Sequence, residues 1–301
     1  MVGRRRFVAV GSDTVRLILS RKGFDSAAGG CPSPIFPDGS MIALPIPDKG
    51  SPIRYRDIHW RGRNLGDVVA ALTRGRQRPG FRAHLDPDLR REVVRREFGF
   101  RASLGQLGAA QSHLRRQGVT SEDVFLFWGL FRPVDEGMHW AGPAGHYLWG
   151  WLQVDEVLSV DDTVRRGDER WRWAAKHPHL AFPPDPANTL YVARERLSLP
   201  GLGKAAVAGS GTFETIQSAP RLTRAAARSP LEWSLPSDFL PGDRPPLTYH
   251  RDPGRWSSAD GGARLRAASR GQEFVLDLNL YPGVLDWVTR IVTGSATLRG
   301  H

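Results

Sequence analysis

Two long apolar stretches dominate the pattern of the chain. Asp123–Arg132 (DVFLFWGLFR) carries aromatics at 125, 127, 128 and 131. His146–Val160 (HYLWGWLQVDEVLSV) sets Tyr147, Trp149, Trp151 and Gln153 against Leu148, Gly150, Leu152 and Val154. Both read as strands with both faces used, an antiparallel pair at the centre of a sheet or barrel. Val15, Leu17 and Leu19 alternate with Arg16 and Ile18 and predict another strand. Asn188–Leu199 alternates likewise, and Glu273–Leu278 is a short strand too isolated to form a core alone. Met41–Pro47 reads as an edge strand, because Pro45 and Pro47 cannot donate to a ladder. Helical signals fall at 64–73 behind a capping Asn64, at a short helix from Leu89, at 105–117 closed by Gly118, at 161–176 and at 283–292. From Pro200 to about Gly262 the chain turns rich in Gly, Pro, Ser and Arg and predicts long loops. The pattern predicts an α+β fold with a mainly antiparallel, barrel-like sheet decorated by helices. It predicts one domain over residues 14–301, with 1–13 a short basic extension.

Composition narrows the function more than the fold. With 301 residues and 40% hydrophobic content the chain can bury a full core. Lys and Arg outnumber Asp and Glu by 42 to 31, a formal charge of +11 that suits a polyanion, nucleic acid first. A coding bias toward Arg would leave a similar excess. The single cysteine, Cys31, excludes internal disulfides and Cys-cluster zinc sites. No run approaches about 18 apolar residues, so no membrane span is expected, and the start lacks a leader's apolar core, so a cytoplasmic location is expected. Ten Trp supply core bulk and, where exposed, stacking platforms.

The stretch with the densest candidate chemistry is Arg21–Pro34, RKGFDSAAGGCPSP. It follows a strand and gathers Arg21, Lys22, Asp25, Ser26 and Ser33 around Gly23, Gly29 and Gly30. Backbone N–H groups and cations delivered there could hold an anion such as a phosphate; the plain alternative is a surface loop with glycine turns. Gln106 and His113 share a face of the helix expected over 105–117, with Gln111 on the adjoining face. Gln can read a base edge and His can carry a proton, while a solvent-facing stripe is the bland reading. His84, Asp86 and Asp88 form HxDxD, a spacing that can ligate Mg²⁺ or Zn²⁺ but is also an ordinary turn and cap signal. His177 and His179, at a helix end, could cap carbonyls, bind anions or bind metal, with capping or surface placement the preferred reading. No metal site is therefore expected, and no cofactor is indicated. The glycine-rich GLGKAAVAGSG at 201–211 reads as a flexible loop. GxxxxGK[ST], GxSxG and HExxH are absent.

Several strings together resemble one family. SRKGFDSAAGGCPSPI, LPIPD at 44–48, HLDPDL at 84–89, GQLGAAQSHL at 105–114, DVFLFWGLFR and HYLWGWLQVDEV look like the third type of nucleotide modification associated domain, over about residues 14–199 and again at 271–278. The resemblance implies a bacterial or phage context of DNA base modification, without fixing a reaction. A looser similarity, to the PUA, ASCH and EVE barrels, rests on the two central strands; Glu122–Asp123 departs from the Gly-Asp of that turn. The preferred expectation is a nucleotide- or DNA-binding protein acting in base modification. Arg21 and Lys22 would meet phosphate, with Gly23, Ser26, Gly29, Gly30, Ser33 and Gln111 supporting. Asp25 would act as acid/base or ribose acceptor, and Gln106 and His113 would sit at the base or leaving group. Alternatives are a non-catalytic reader of modified bases and a glycosidic-bond enzyme acting on free nucleotides or a dinucleotide cofactor.

Overall fold

A computed structural model describes residues 14–202 and 207–297; the expected N-terminal extension and part of the glycine-rich 201–211 segment lie outside them. In chain order the strands are β1 (Arg16–Arg21), β2 (Ser33–Ile35), β3 (Ile46–Pro47), β4 (His59–Trp60), β5 (Arg63–Asn64), β6 (Ala83–His84), β7 (Ser103–Gln106), β8 (Val124–Pro133), β9 (Gly145–Ser159), β10 (Thr189–Ala193), β11 (Ser210–Thr212), β12 (Glu232–Pro236), β13 (Trp256–Ala259), β14 (Gly262–Arg266) and β15 (Glu273–Asp277). The α-helices are α1 (Leu65–Leu72), α2 (Gly108–Arg116) and α3 (Pro282–Thr297). None is long and apolar enough to cross a membrane.

The main sheet runs β15-β1-β8-β9-β10-β7, with β2 added to β8 and β11 to β9. The expected antiparallel pair β8–β9 is its centre, in register from Val124↔Gln153 to Phe131↔Gly145. Leu17, Ile18 and Leu19 are fully buried, because β1 is covered on both faces and flanked by β15 and β8. β1 and β2 both pair parallel with β8, so the sheet is mixed. β15 is not isolated: it zips antiparallel to β1, with Ser20 opposite Glu273.

The barrel expectation does not hold. No ladder joins the edge strands β7 and β15. Six strands in a flat row would hold those edges about 24 Å apart, yet Gln106 Nε2 of β7 donates to Glu273 Oε1 of β15. The sheet therefore curls until edge side chains meet, with no backbone pairing across the seam. α2 packs against β15 at this seam. Its Gln111 accepts from Tyr191 on β10 at 2.9 Å, and its His113 meets Thr248 Oγ1 at 3.2 Å. Thr248 Oγ1 in turn accepts from Val275 N of β15 at 2.9 Å.

Several boundaries move for local reasons. The 105–117 helix begins only at Gly108, since Ser103–Gln106 is paired with β10 and Leu107 is extended. The 161–176 helix breaks into a π turn over Val160–Val164 and a 3-10 segment over Glu169–Ala174, with Gly167 between them at φ 79°. No helix forms at Leu89. The 200–262 stretch is less loop-like than expected, holding β12, β13 and part of the three-stranded β12-β14-β13 sheet, whose Trp233, Leu235, Ala263 and Leu265 are buried.

Candidate functional site

A cleft of about 730 Å³ opens where β1 and β7 end and β15 begins. Arg21, Lys22, Gly23 and Asp25 line one side, Gln106 and Leu107 another, and residues 269–272 a third. Asp48, His84, Asp86, Gly105, His179 and Phe182 complete it. The RKGFD stretch and Gln106, far apart in sequence, thus face one space.

The first wall hangs from Glu273. This carboxylate is almost fully buried and accepts from Ser20 Oγ and Lys22 Nζ, each at 3.0 Å, and from Gln106 Nε2. Burial pushes its carboxyl up, and the Lys22 cation pulls against that shift. An ionised carboxylate only accepts, so the Gln106 amide must turn its N–H toward Glu273 and keep Oε1 for another partner. Lys22, which also lines the cleft, is thereby the ion-pair partner of Glu273. Arg21 pairs with Asp25 Oδ2 at 2.7 Å and lies over the Trp128 ring. Asp25 Oδ1 accepts from the N–H groups of Ala27 and Ala28, both at 2.7 Å, so this carboxylate shapes its own loop as well as facing the cleft. Arg270 lines the cleft from an exposed position and forms no ion pair among the described residues.

The glycines and serines of the stretch divide by role. Gly23 borders the cleft at φ 99°. Gly29, at φ 88°, has the Phe24 ring 2.4 Å from where a Cβ would stand, so it serves loop packing. Gly30 lies near Arg76, and Ser33 Oγ is buried, accepting from Leu44 N at 3.0 Å. Ser26 is exposed and does not line the cleft. Gln111 and His113, expected at the ligand, are buried in the seam instead and are not among the lining residues. Burial, then the charge of Arg116, lowers the His113 pKa.

The opposite wall was not anticipated. β6 pairs with β3, placing His84 opposite Ile46 and near Asp48. His84 Nδ1 meets Asp48 Oδ2 at 2.9 Å, and its Nε2 lies 3.8 Å from Asp86 Oδ2. His179 Nε2 lies 3.8 Å from the same oxygen, while its Nδ1 meets Asn188 Oδ1 at 2.7 Å. Asp86 Oδ1 accepts from Gly105 N at 2.7 Å and faces His177 Nε2 at 3.4 Å. His177 caps not the end of the preceding helical segment but the start of the next turn, Pro178–Leu180, its Nδ1 accepting from His179 N. Burial holds the His179 imidazole down at about 4, so it is neutral near pH 7. Burial alone would raise the Asp86 carboxyl, but His177, His179 and His84 more than offset it and keep it below the usual range. One ligand atom each from His84, Asp86 and His179 lie within 4.8 Å of one another, and these three residues could hold a metal ion. Asp88, the last member of HxDxD, is excluded from the group: Arg96 grips it with two bonds of 2.5 Å. Gly105 is required here, since a Cβ would stand 2.1 Å from the His179 ring.

A family model settles the broader context. The nucleotide modification associated domain 3 matches residues 16–277. The chain belongs to that family. No curated protein and no solved structure matches it. Membership covers the sheet, the seam and both walls of the cleft, and it associates the chain with nucleotide modification.

Proposed function

We propose that the cleft holds a nucleotide, free or within DNA, and is where this chain acts on it during base modification. The observation that carries the reading is the convergence in one ligand-sized space of Arg21, Arg270, Asp25, Gln106 and the imidazoles of His84 and His179, in a family tied to nucleotide modification. Arg270 and Arg21 supply cations for a phosphate. Gln106, its N–H committed to Glu273, presents Oε1 to a base amino group. In a free nucleotide Asp25 accepts a sugar hydroxyl, its remaining lone pairs directed by the bonds from Ala27, Ala28 and Arg21. Phe182, beside both imidazoles, offers a ring face to a base. A base in duplex DNA must leave the stack to enter.

The test is incubation with single-stranded DNA, duplex DNA and free nucleotides, followed by mass analysis of the nucleosides. A new nucleoside mass that disappears in Arg270→Gln supports the enzyme reading. Tight, saturable binding with unchanged nucleosides would turn the same cleft into a reader. Absence of both would remove the proposal.

A further inference from the structure

The His84, Asp86 and His179 group has an arrangement of protons that can be worked out from its neighbours. Asp48 Oδ2 is an acceptor, so His84 Nδ1 at 2.9 Å carries the proton and His84 Nε2 is left with a lone pair. Asn188 donates its Nδ2 to His179 O at 2.8 Å, which turns Oδ1 toward His179 Nδ1. His179 Nε2 is therefore also a lone pair. His177 accepts a backbone N–H at Nδ1, so its Nε2 carries hydrogen and points at Asp86 Oδ1. That oxygen receives Gly105 N–H. Asp86 Oδ1 is thus supplied, while Asp86 Oδ2 faces two imidazole lone pairs at 3.8 Å each. Three acceptors converge on one point with no donor between them, in residues that are buried or nearly so.

We propose that a divalent transition-metal ion, of the zinc or iron(II) class, binds between His84 Nε2, Asp86 Oδ2 and His179 Nε2. Ligands about 2.1 Å from a tetrahedral ion stand roughly 3.4 Å apart, so the two 3.8 Å imidazole–carboxylate spacings need to contract by only a few tenths of an ångström, and the third pair already lies within 4.8 Å. Two imidazoles select a transition ion over Mg²⁺ or Ca²⁺, which prefer oxygen shells. Asp48 and Asn188 fix the tautomers from behind, and His177 and Gly105 orient the carboxylate, the outer support such sites use. Three protein ligands leave at least one coordination position, and all three residues line the cleft. The site rests on the nucleotide reading for its purpose, but its existence does not depend on it.

Metal content of the full chain, purified without chelator, and calorimetric titration of Zn²⁺ into chelator-treated protein test the site. We expect one equivalent and a Kd below the micromolar range. His84→Gln and His179→Gln should each weaken binding at least 100-fold, and Asp48→Asn about 10- to 100-fold. His113→Gln, a buried imidazole elsewhere, should leave it unchanged. Co²⁺ in the unmutated protein should give visible absorption bands of a low-coordinate nitrogen and oxygen site, a readout that needs no variant to fold. Substoichiometric Zn²⁺, featureless Co²⁺ spectra, or binding untouched in His84→Gln and His179→Gln would overturn the proposal. Nucleotide binding measured on the chelated protein separates the two readings. Nucleotide without metal overturns the metal site alone, and metal without nucleotide overturns only the proposed function.

Discussion

Replacing Glu273 by Gln removes the charge on which one wall of the cleft is built while keeping its shape. Glu273 and Lys22 are 1% and 10% exposed at the side chain and 3.0 Å apart. At an effective dielectric near 20, that pair attracts by about 5 kcal/mol. An amide at 273 keeps one oxygen to accept from Lys22 or from Ser20, recovering roughly 1–2 kcal/mol, but it cannot neutralise the cation. The net loss should be about 3 kcal/mol, at the low end for leaving one member of a buried pair alone. At roughly 2–4 °C per kcal/mol this is a fall of about 6–12 °C in melting temperature. Denaturant unfolding of Glu273→Gln, Lys22→Met and the double variant gives the coupling directly. We expect the double variant to be no less stable than Glu273→Gln, with a coupling of about 2 kcal/mol or more. A loss below about 1 kcal/mol in the single variant, or coupling under about 0.5 kcal/mol, would refute the claim that Glu273 holds Lys22 and Gln106 in place.

Gly105→Ala puts a methyl within 2.1 Å of the His179 ring; it should cost about 1–3 kcal/mol in thermal unfolding and displace His179 from the cleft wall. His146 and His250 are buried neutral, at about 3 and 4 through burial, with His146 Nδ1 accepting from Trp233 Nε1 and His250 Nε2 from Ala268 N. Their folded values lie below the unfolded one, so the stability they provide is complete above about 6.5 and is lost as pH falls; at pH 5 each should have cost about 2 kcal/mol. Asp123, pushed up to about 6 by burial, works in the opposite sense, gaining stability as pH falls below 6; melts of wild type and His250→Gln from pH 7.5 to 5 should show a shallower slope in the variant. The Cys31 thiol, raised to about 11 by burial, should resist alkylation at pH 8 in the native state and react at once on unfolding. Asn64→Ala should destabilise by about 1 kcal/mol, since Asn64 accepts from Gly66 N at the start of α1 and donates to Arg56 O.

Local signals in the sequence carried the central strands and the RKGFD side of the first wall. Val15, Leu17 and Leu19 gave the strand by alternation, though not that Ile18 on its other face is buried too, and the Arg21–Asp25 pair at its end is a contact between residues four apart. The second wall depends on contacts no local pattern contains. His84 and Asp86 meet His179 only because Gly105, on β7, lacks a Cβ and lets the imidazole lie against the strand. The HxD and HPH spacings were visible, and each alone fits a turn or a cap. Glu273 looked like one polar residue in a short strand because its partners Lys22 and Gln106 come from the start and middle of the chain. His113 looked free for chemistry because the helical face expected to join it to Gln106 is broken by β7, and periodicity does not show what α2 meets, here Thr248 and the ring of Tyr249. The 161–176 segment breaks at Gly167, whose φ of 79° lies outside the helical region, between the π turn and the 3-10 segment that buries Trp171 and Trp173. β14 is obscured by Gly262, Arg264 and Arg266 between its buried positions, and β12 by Glu232, Ser234 and Pro236, although Trp233/Leu235 and Ala263/Leu265 keep a period of two.

The central claim is that the cleft binds a nucleotide, and equilibrium binding of 2′-deoxynucleoside monophosphates tests it most directly. The control is Arg166→Gln, an exposed arginine paired with Asp162 and outside the cleft lining. Saturable binding at one site is expected, weakened about tenfold or more by Arg270→Gln and by Gln106→Leu, and unchanged by Arg166→Gln. No saturable binding, or equal weakening by Arg270→Gln and Arg166→Gln, would show that only diffuse positive charge attracts the ligand and would contradict the account.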